Sequence, residues 1–225
     1  MNSLKDRQLA STAAEMIVLH YTKFKDRSIV LHTLSREYGR RSFLVTVGRS
    51  TPMALFLPLS IVQAEVVESP RSSLWRSHAF SPVHMLSGLR GSMLKNSIAM
   101  FISEVLYRVV HEDAYEDGLY DWCVSQILAL DALEGDYANF HLRWLLDLAS
   151  ALGFAPSIED LMHFVDSDLP AVRTLLEGSF AEAMLLPLNG SSRSRISESL
   201  LRYFSFHTET DLNIRSLDVL REVLR

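Results

Sequence analysis

Side chains able to do covalent or metal chemistry are few in this chain, and they are scattered. The eight histidines (His20, His32, His78, His84, His111, His141, His163 and His207) include no pair spaced i, i+4 on one helix face, so none forms a ready two-ligand metal motif. The single cysteine, Cys123, excludes an internal disulfide and a cysteine-based zinc tetrad; beside Trp122 in a helical pattern it reads as a buried, inert thiol. Glu112-Asp113 and Glu116-Asp117 supply carboxylates of the kind a divalent cation or a general acid uses. Unpaired acids between two helical patterns also make a solvated connection, and that is the reading preferred. With no glycine-rich phosphate loop, no His-Glu-x-x-His and no Gly-x-Ser-x-Gly, the sequence points away from an enzyme.

What does recur is a cation beside an aromatic ring. Lys23, Lys25, Arg27, Arg40, Arg41 and Arg49 interleave with Tyr21, Phe24, Tyr38 and Phe43. Cations of this density neutralise phosphates, and exposed rings stack bases. The competing reading of the rings is barrel core, and it is the preferred one for Phe43. The charge is unevenly shared: the chain has 22 basic and 27 acidic side chains, yet residues 1–80 hold 11 basic against 6 acidic, a net of +5, and the remainder stands at −10. Such a split predicts two domains with different partners, residues 1–80 and residues 81–225.

Each half has its own periodicity. Met16–Tyr21, Ser28–Ser35 and Arg41–Val47 are apolar, β-branched or aromatic at nearly every position and read as strands buried largely on both sides. Glu37-Tyr38-Gly39-Arg40 supplies a hairpin, because glycine accepts the positive φ of a tight connection. A positive barrel of this size resembles the OB-fold, a five-stranded Greek-key barrel that often binds single-stranded nucleic acid. Pro82 reads as a helix start, after which the apolar period becomes 3.6. Leu94 to Val109, Leu119 to Leu130 and Trp144 to Leu152 line three helix faces, the third stopping at Gly153. Ser157 to Asp160 has capping-box form. Further helices are expected over 167–176, 179–186, 195–206 and 217–224, with Pro187–Ser194 as a loop. The fold class is α+β, an N-terminal β-barrel followed by an all-helical domain. Polar Lys5-Asp6-Arg7 argues against a leader peptide, and the most apolar stretch, Ala54–Val67, is too short for a membrane span, so a cytoplasmic, membrane-free protein is expected.

The order of these segments resembles the RecO family of recombination mediators. Its strand, basic turn, strand, acid-x-Gly-Arg and third strand correspond to Ile17-Val18-Leu19, Tyr21 to Arg27, Ile29 to Leu34, Glu37-Tyr38-Gly39-Arg40 and Phe43 to Val47. Leu57-Pro58-Leu59 looks like the family's lead-in to the fourth strand, and Ser103-Glu104-Val105-Leu106-Tyr107-Arg108 is similar to its Asn-Glu-Leu-Leu-x-Arg helix. Phe140 to Phe154 resembles the helix ending in Leu-Gly-Phe, and Ser216 to Arg221 the terminal Ser-x-x-Leu-Leu-Arg helix. The resemblance implies binding of single- and double-stranded DNA, annealing of complementary strands, and recombinase loading with RecR onto gaps coated by single-stranded-DNA-binding protein, in the nucleoid. It also implies docking of that protein's acidic tail on the helical domain, for which Arg108 and Arg143 beside Phe140 and Trp144 are the positions; Arg143 pairing with Asp147 at i, i+4 is the competing reading. Many members hold zinc with four cysteines after the Leu-Gly-Phe helix, whereas here Gly153-Phe154-Ala155-Pro156 runs straight into Ser157, so no zinc module and no cofactor are expected. The family's basic Lys-Gly-x-Arg stretch after the third strand is reduced to Val47-Gly48-Arg49-Ser50.

A rival of another class is an adaptor that binds only proteins, the shortened basic loop no longer reaching DNA. The acidic pI of about 5.9 supports it.

Overall fold

A computed structural model describes residues 11–49, 51–69 and 72–224. Lys5-Asp6-Arg7, on which the leader argument rests, together with Ser50 and Arg71, lies outside the described residues. The chain forms two compact units, one of residues 1–84 with 112–115 and one of 85–111 with 116–225. No helix among the described residues is long and apolar enough to cross a membrane.

The first unit is a closed barrel of β1 (Ser11–Lys25), β2 (Ser28–Ser35), β3 (Gly39–Thr46), β4 (Ile61–Val67) and β5 (Trp75–Pro82), ordered β1-β2-β3-β5-β4. Closure comes from a parallel β3–β5 pairing; the other ladders are antiparallel. β1 is longer than its apolar run because it serves two ladders, Ser11–Ile17 against β4 and Met16–Lys25 against β2. Its register slips between Val18 and His20 and again between Lys23 and Lys25. Such bulges bend a strand and re-aim the extra residue. Alternate side chains, among them Met16, Val18, Leu31, Phe43, Val45, Val62 and Val66, fill the barrel, and Phe56 of a 3-10 turn (Met53–Phe56) completes that core. The β2–β3 hairpin turns at Gly39 with φ +63°.

Pro82 is not a helix start. It is the last residue of β5, opposite Val62, where a residue without an N–H sits readily at a strand end, and the helices begin five residues on. They are α1 (Ser87–Gly91), α2 (Met93–Val109), α3 (Leu119–Ala132), α4 (Phe140–Ala151), α5 (Ile158–Leu161), α6 (Leu169–Glu177), α7 (Phe180–Leu185), α8 (Gly190–Thr208) and α9 (Ser216–Val223). Capping boxes start α5 at Ser157/Asp160 and α7 at Ser179/Glu182. The expected 187–194 loop is cut short, because Asn189 accepts from the Ser192 amide and starts α8 at Gly190. Two polar staples fix the helices. Buried Asn139 donates to the carbonyls of Ala183, Met184 and Leu186 and accepts from Arg193 Nε. Glu104 of α2 accepts from the Arg215 and Ser216 amides and the Ser216 hydroxyl, satisfying the orphan donors that open α9.

Candidate nucleic-acid interface

The β1–β2 hairpin carries the densest exposed set of candidate side chains. Lys23, Lys25 and Arg27 are all exposed at its tip, with Asp26 among them. Lys23 stands opposite Ile29 and Lys25 opposite Ser28, so both cations lie within one strand end. Two rings accompany them: Phe24 is 52% exposed and Tyr21 40%, and the Lys25 ammonium lies 5.4 Å from the Phe24 ring centroid. A phenylalanine this exposed is costly in water; Tyr21 and Lys23 stand opposite the core residues Leu31 and Ile29, so strand alternation leaves Phe24 on the outward face.

The chain leaving β3 joins the same end. Val47 donates its amide to the Arg27 carbonyl at 3.0 Å, and exposed Arg49 follows in a turn where Gly48 and Thr51 bond to each other. Arg76, absent from the sequence-derived set, stands exposed on β5 beside Leu44 and Val67. Its strand has little apolar alternation, so neither the strand nor its arginine is legible in the sequence.

Arg40 and Arg41 lie elsewhere, toward the β2–β3 hairpin. Arg40 is 3% exposed, so its guanidinium is packed within the barrel unit and does not stand at the surface. It faces His32, whose ring hydrogen-bonds Ser42 Oγ at 2.8 Å and stacks on His20 at 6.0 Å. Burial first, then Arg40 and His20, pull the His32 pKa down to about 4. Arg41 lies over the Trp75 indole, 4.0 Å from its centroid, with Nη2 paired to Asp113 at 2.6 Å. Of the remaining rings, Phe43 is wholly buried and Tyr38 packs edge-on against Trp75 at 5.1 Å.

The residues expected to receive an acidic tail have internal partners in the helical unit. Phe140 and Trp144 are core side chains. Arg143 Nε meets both Asp147 carboxylate oxygens, at 2.9 and 3.0 Å, and Nη1 donates to the Gly178 and Leu175 carbonyls at 2.9 and 3.4 Å. The i, i+4 reading of Arg143 therefore describes the geometry, and the two carbonyls add to it. Arg108 is exposed, its guanidinium 5.9 Å from the ring of its neighbour Tyr107. Cys123 is buried, which raises its thiol pKa far above the usual range, and among the described residues no three His, Cys, Asp or Glu side chains group as a metal site.

A five-stranded barrel closed through β3 and β5, followed by a helical unit, is an OB-fold joined to an all-α domain. Within the helical unit, residues 90–161 match the family model described as recombination protein O C terminal. The chain is 31% identical over 236 aligned positions to the DNA repair protein RecO of Bacteroides fragilis, covering 92% of this chain and 96% of that one. Identity is 30% to the RecO protein of Phocaeicola vulgatus and 24% to that of Flavobacterium psychrophilum, each at the same coverage. The chain belongs to the RecO family of DNA repair proteins.

Proposed function

We propose that this protein is a DNA-binding recombination mediator that makes and breaks no covalent bond. In this reading it binds single- and double-stranded DNA, anneals complementary single strands and, with RecR, loads recombinase onto gaps coated by single-stranded-DNA-binding protein. It works in the cytoplasm at the nucleoid, and without a metal or other cofactor. Family membership supports the repair role. The observation that carries the DNA contact is the exposed hairpin, where Lys23, Lys25 and Arg27 flank a solvent-facing Phe24, with Arg49 at the same end. Cations beside a bare ring suit a flexible strand whose phosphates and unstacked bases both need partners. Binding of a labelled oligonucleotide as a function of salt tests the reading; a protein that binds RecR or the tail of single-stranded-DNA-binding protein but no DNA is the adaptor instead.

A further inference from the structure

Although it lies between α2 and α3 in sequence, Glu112–Tyr115 belongs to the barrel's compact unit. It hydrogen-bonds to Arg40 at the start of β3, ahead of the residues that pair with β5. The Arg40 amide donates to the Ala114 carbonyl at 2.9 Å, and the Asp113 amide donates to the Arg40 carbonyl at 2.8 Å. The approach is close enough that a Cβ on Gly39 would stand 2.1 Å from the Ala114 oxygen. Asp113 adopts φ +65° to make this turn, and its carboxylate reaches Arg41.

The pair it forms is one-pronged. Asp113 Oδ1 meets Arg41 Nη2, while Arg41 Nε is buried with no hydrogen-bond partner among the described residues. A buried N–H without an acceptor is unfavourable, and a phosphodiester, with two free oxygens, satisfies Nε and Nη2 together in the side-on geometry guanidinium groups prefer. The Asp113 side chain is 54% exposed and that of Arg41 16%, so a phosphate gains the guanidinium from solvent by taking the place of the carboxylate. Arg41 is already held over the Trp75 ring and needs little ordering to accept a new partner.

We infer that Asp113 is an internal competitor for nucleic-acid phosphate: it occupies Arg41 in the free protein, and a DNA phosphate reaching the β2–β3 hairpin end of the barrel displaces its carboxylate from the guanidinium. This rests on the reading of the barrel as a DNA-binding domain. β3 rises about 3.3 Å per residue, which sets Arg41 about 17 Å from Thr46 at the other end of the strand, so a contact at Arg41 is separate from the β1–β2 hairpin contacts.

The test is fluorescence anisotropy with a long labelled oligothymidylate across a salt series, on wild type, Asp113→Asn, Arg41→Gln, the double variant and the Lys23→Ala/Lys25→Ala/Arg27→Ala triple variant. Asparagine tolerates the left-handed backbone, and Asp113→Gly, at a φ that glycine favours, gives a second folded variant. Asp113→Asn is expected to bind several-fold tighter, with a log K against log salt slope steeper by about 0.7, one further phosphate. Arg41→Gln is expected to abolish that gain. Affinity and slope unchanged in both Asp113 variants overturn the inference, and so does an equal gain with and without Arg41, which would mean that the carboxylate acts at a distance. A triple variant that binds as wild type does instead refutes the DNA-binding reading of the hairpin, so the two failures are told apart.

Discussion

The Val47 amide donates to the Arg27 carbonyl at 3.0 Å, tying the tip of the first hairpin to the exit of β3. That bond sets Arg27 and Arg49, 22 residues apart in sequence, at one end of the barrel. A short loop after β3 thus still delivers a cation to the hairpin.

Phe24→Ala should weaken single-strand binding by the equivalent of one stacked base, about 1–3 kcal/mol, and leave duplex binding nearly unchanged. Competition between a single strand and its duplex measures this. Equal losses on both would make Phe24 a general contact rather than a stacking platform.

Gly39→Ala should destabilise the barrel by about 2 kcal/mol or more, because alanine is strained at φ +63° and its Cβ meets the Ala114 carbonyl. Denaturant unfolding reads the loss. An unchanged midpoint would contradict the close packing of Ala114 and Tyr115 on Gly39.

Arg143→Ala should lower stability by about 1–3 kcal/mol, since it strips donors from the Gly178 and Leu175 carbonyls and leaves the Asp147 carboxylate half-buried. Burial raises the Asp147 pKa and the Arg143 hydrogen bonds oppose that rise, so removing the arginine raises it further. Should a tail peptide lose affinity for the variant while stability is unchanged, Arg143 is a docking residue after all.

Stability should fall as acid is added, in part through His141. Its ring is wholly buried, and burial followed by Arg193 lowers its pKa from 6.5 to about 3, against a smaller opposing pull from the Ala138 backbone. The unfolded chain takes up a proton below pH 6.5 that the folded one refuses, so the stability held above 6.5 is lost progressively toward pH 3. A flatter acid limb for His141→Gln than for wild type is the expected outcome, and parallel limbs would contradict it.

The first three strands, the Gly39 turn and the Ser157 capping box are legible in the sequence because each has a strong local signal. Trp75–Pro82 is not: Trp-Arg-Ser-His-Ala-Phe-Ser-Pro lacks apolar alternation and is held as a strand by pairing on both sides. Among the candidate cations, the exposed hairpin set follows from composition. Arg40 and Arg41 look the same in sequence, and only the fold shows one buried and the other held by an aspartate 72 residues away. That Phe140 and Trp144 are core and that Arg143 bonds Asp147 and two carbonyls is likewise visible only in the fold, since helical spacing does not tell a pocket from a core.

The central claim is tested most directly by a salt titration of oligonucleotide binding, wild type against the Lys23→Ala/Lys25→Ala/Arg27→Ala variant, with circular dichroism confirming that both are folded. The expected result is a wild-type affinity that falls steeply with salt and a variant with weaker binding to every sequence, its slope flatter by about 2 for three missing phosphate contacts. Equal affinity and slope for the two proteins, or no binding by wild type at low salt, would contradict it.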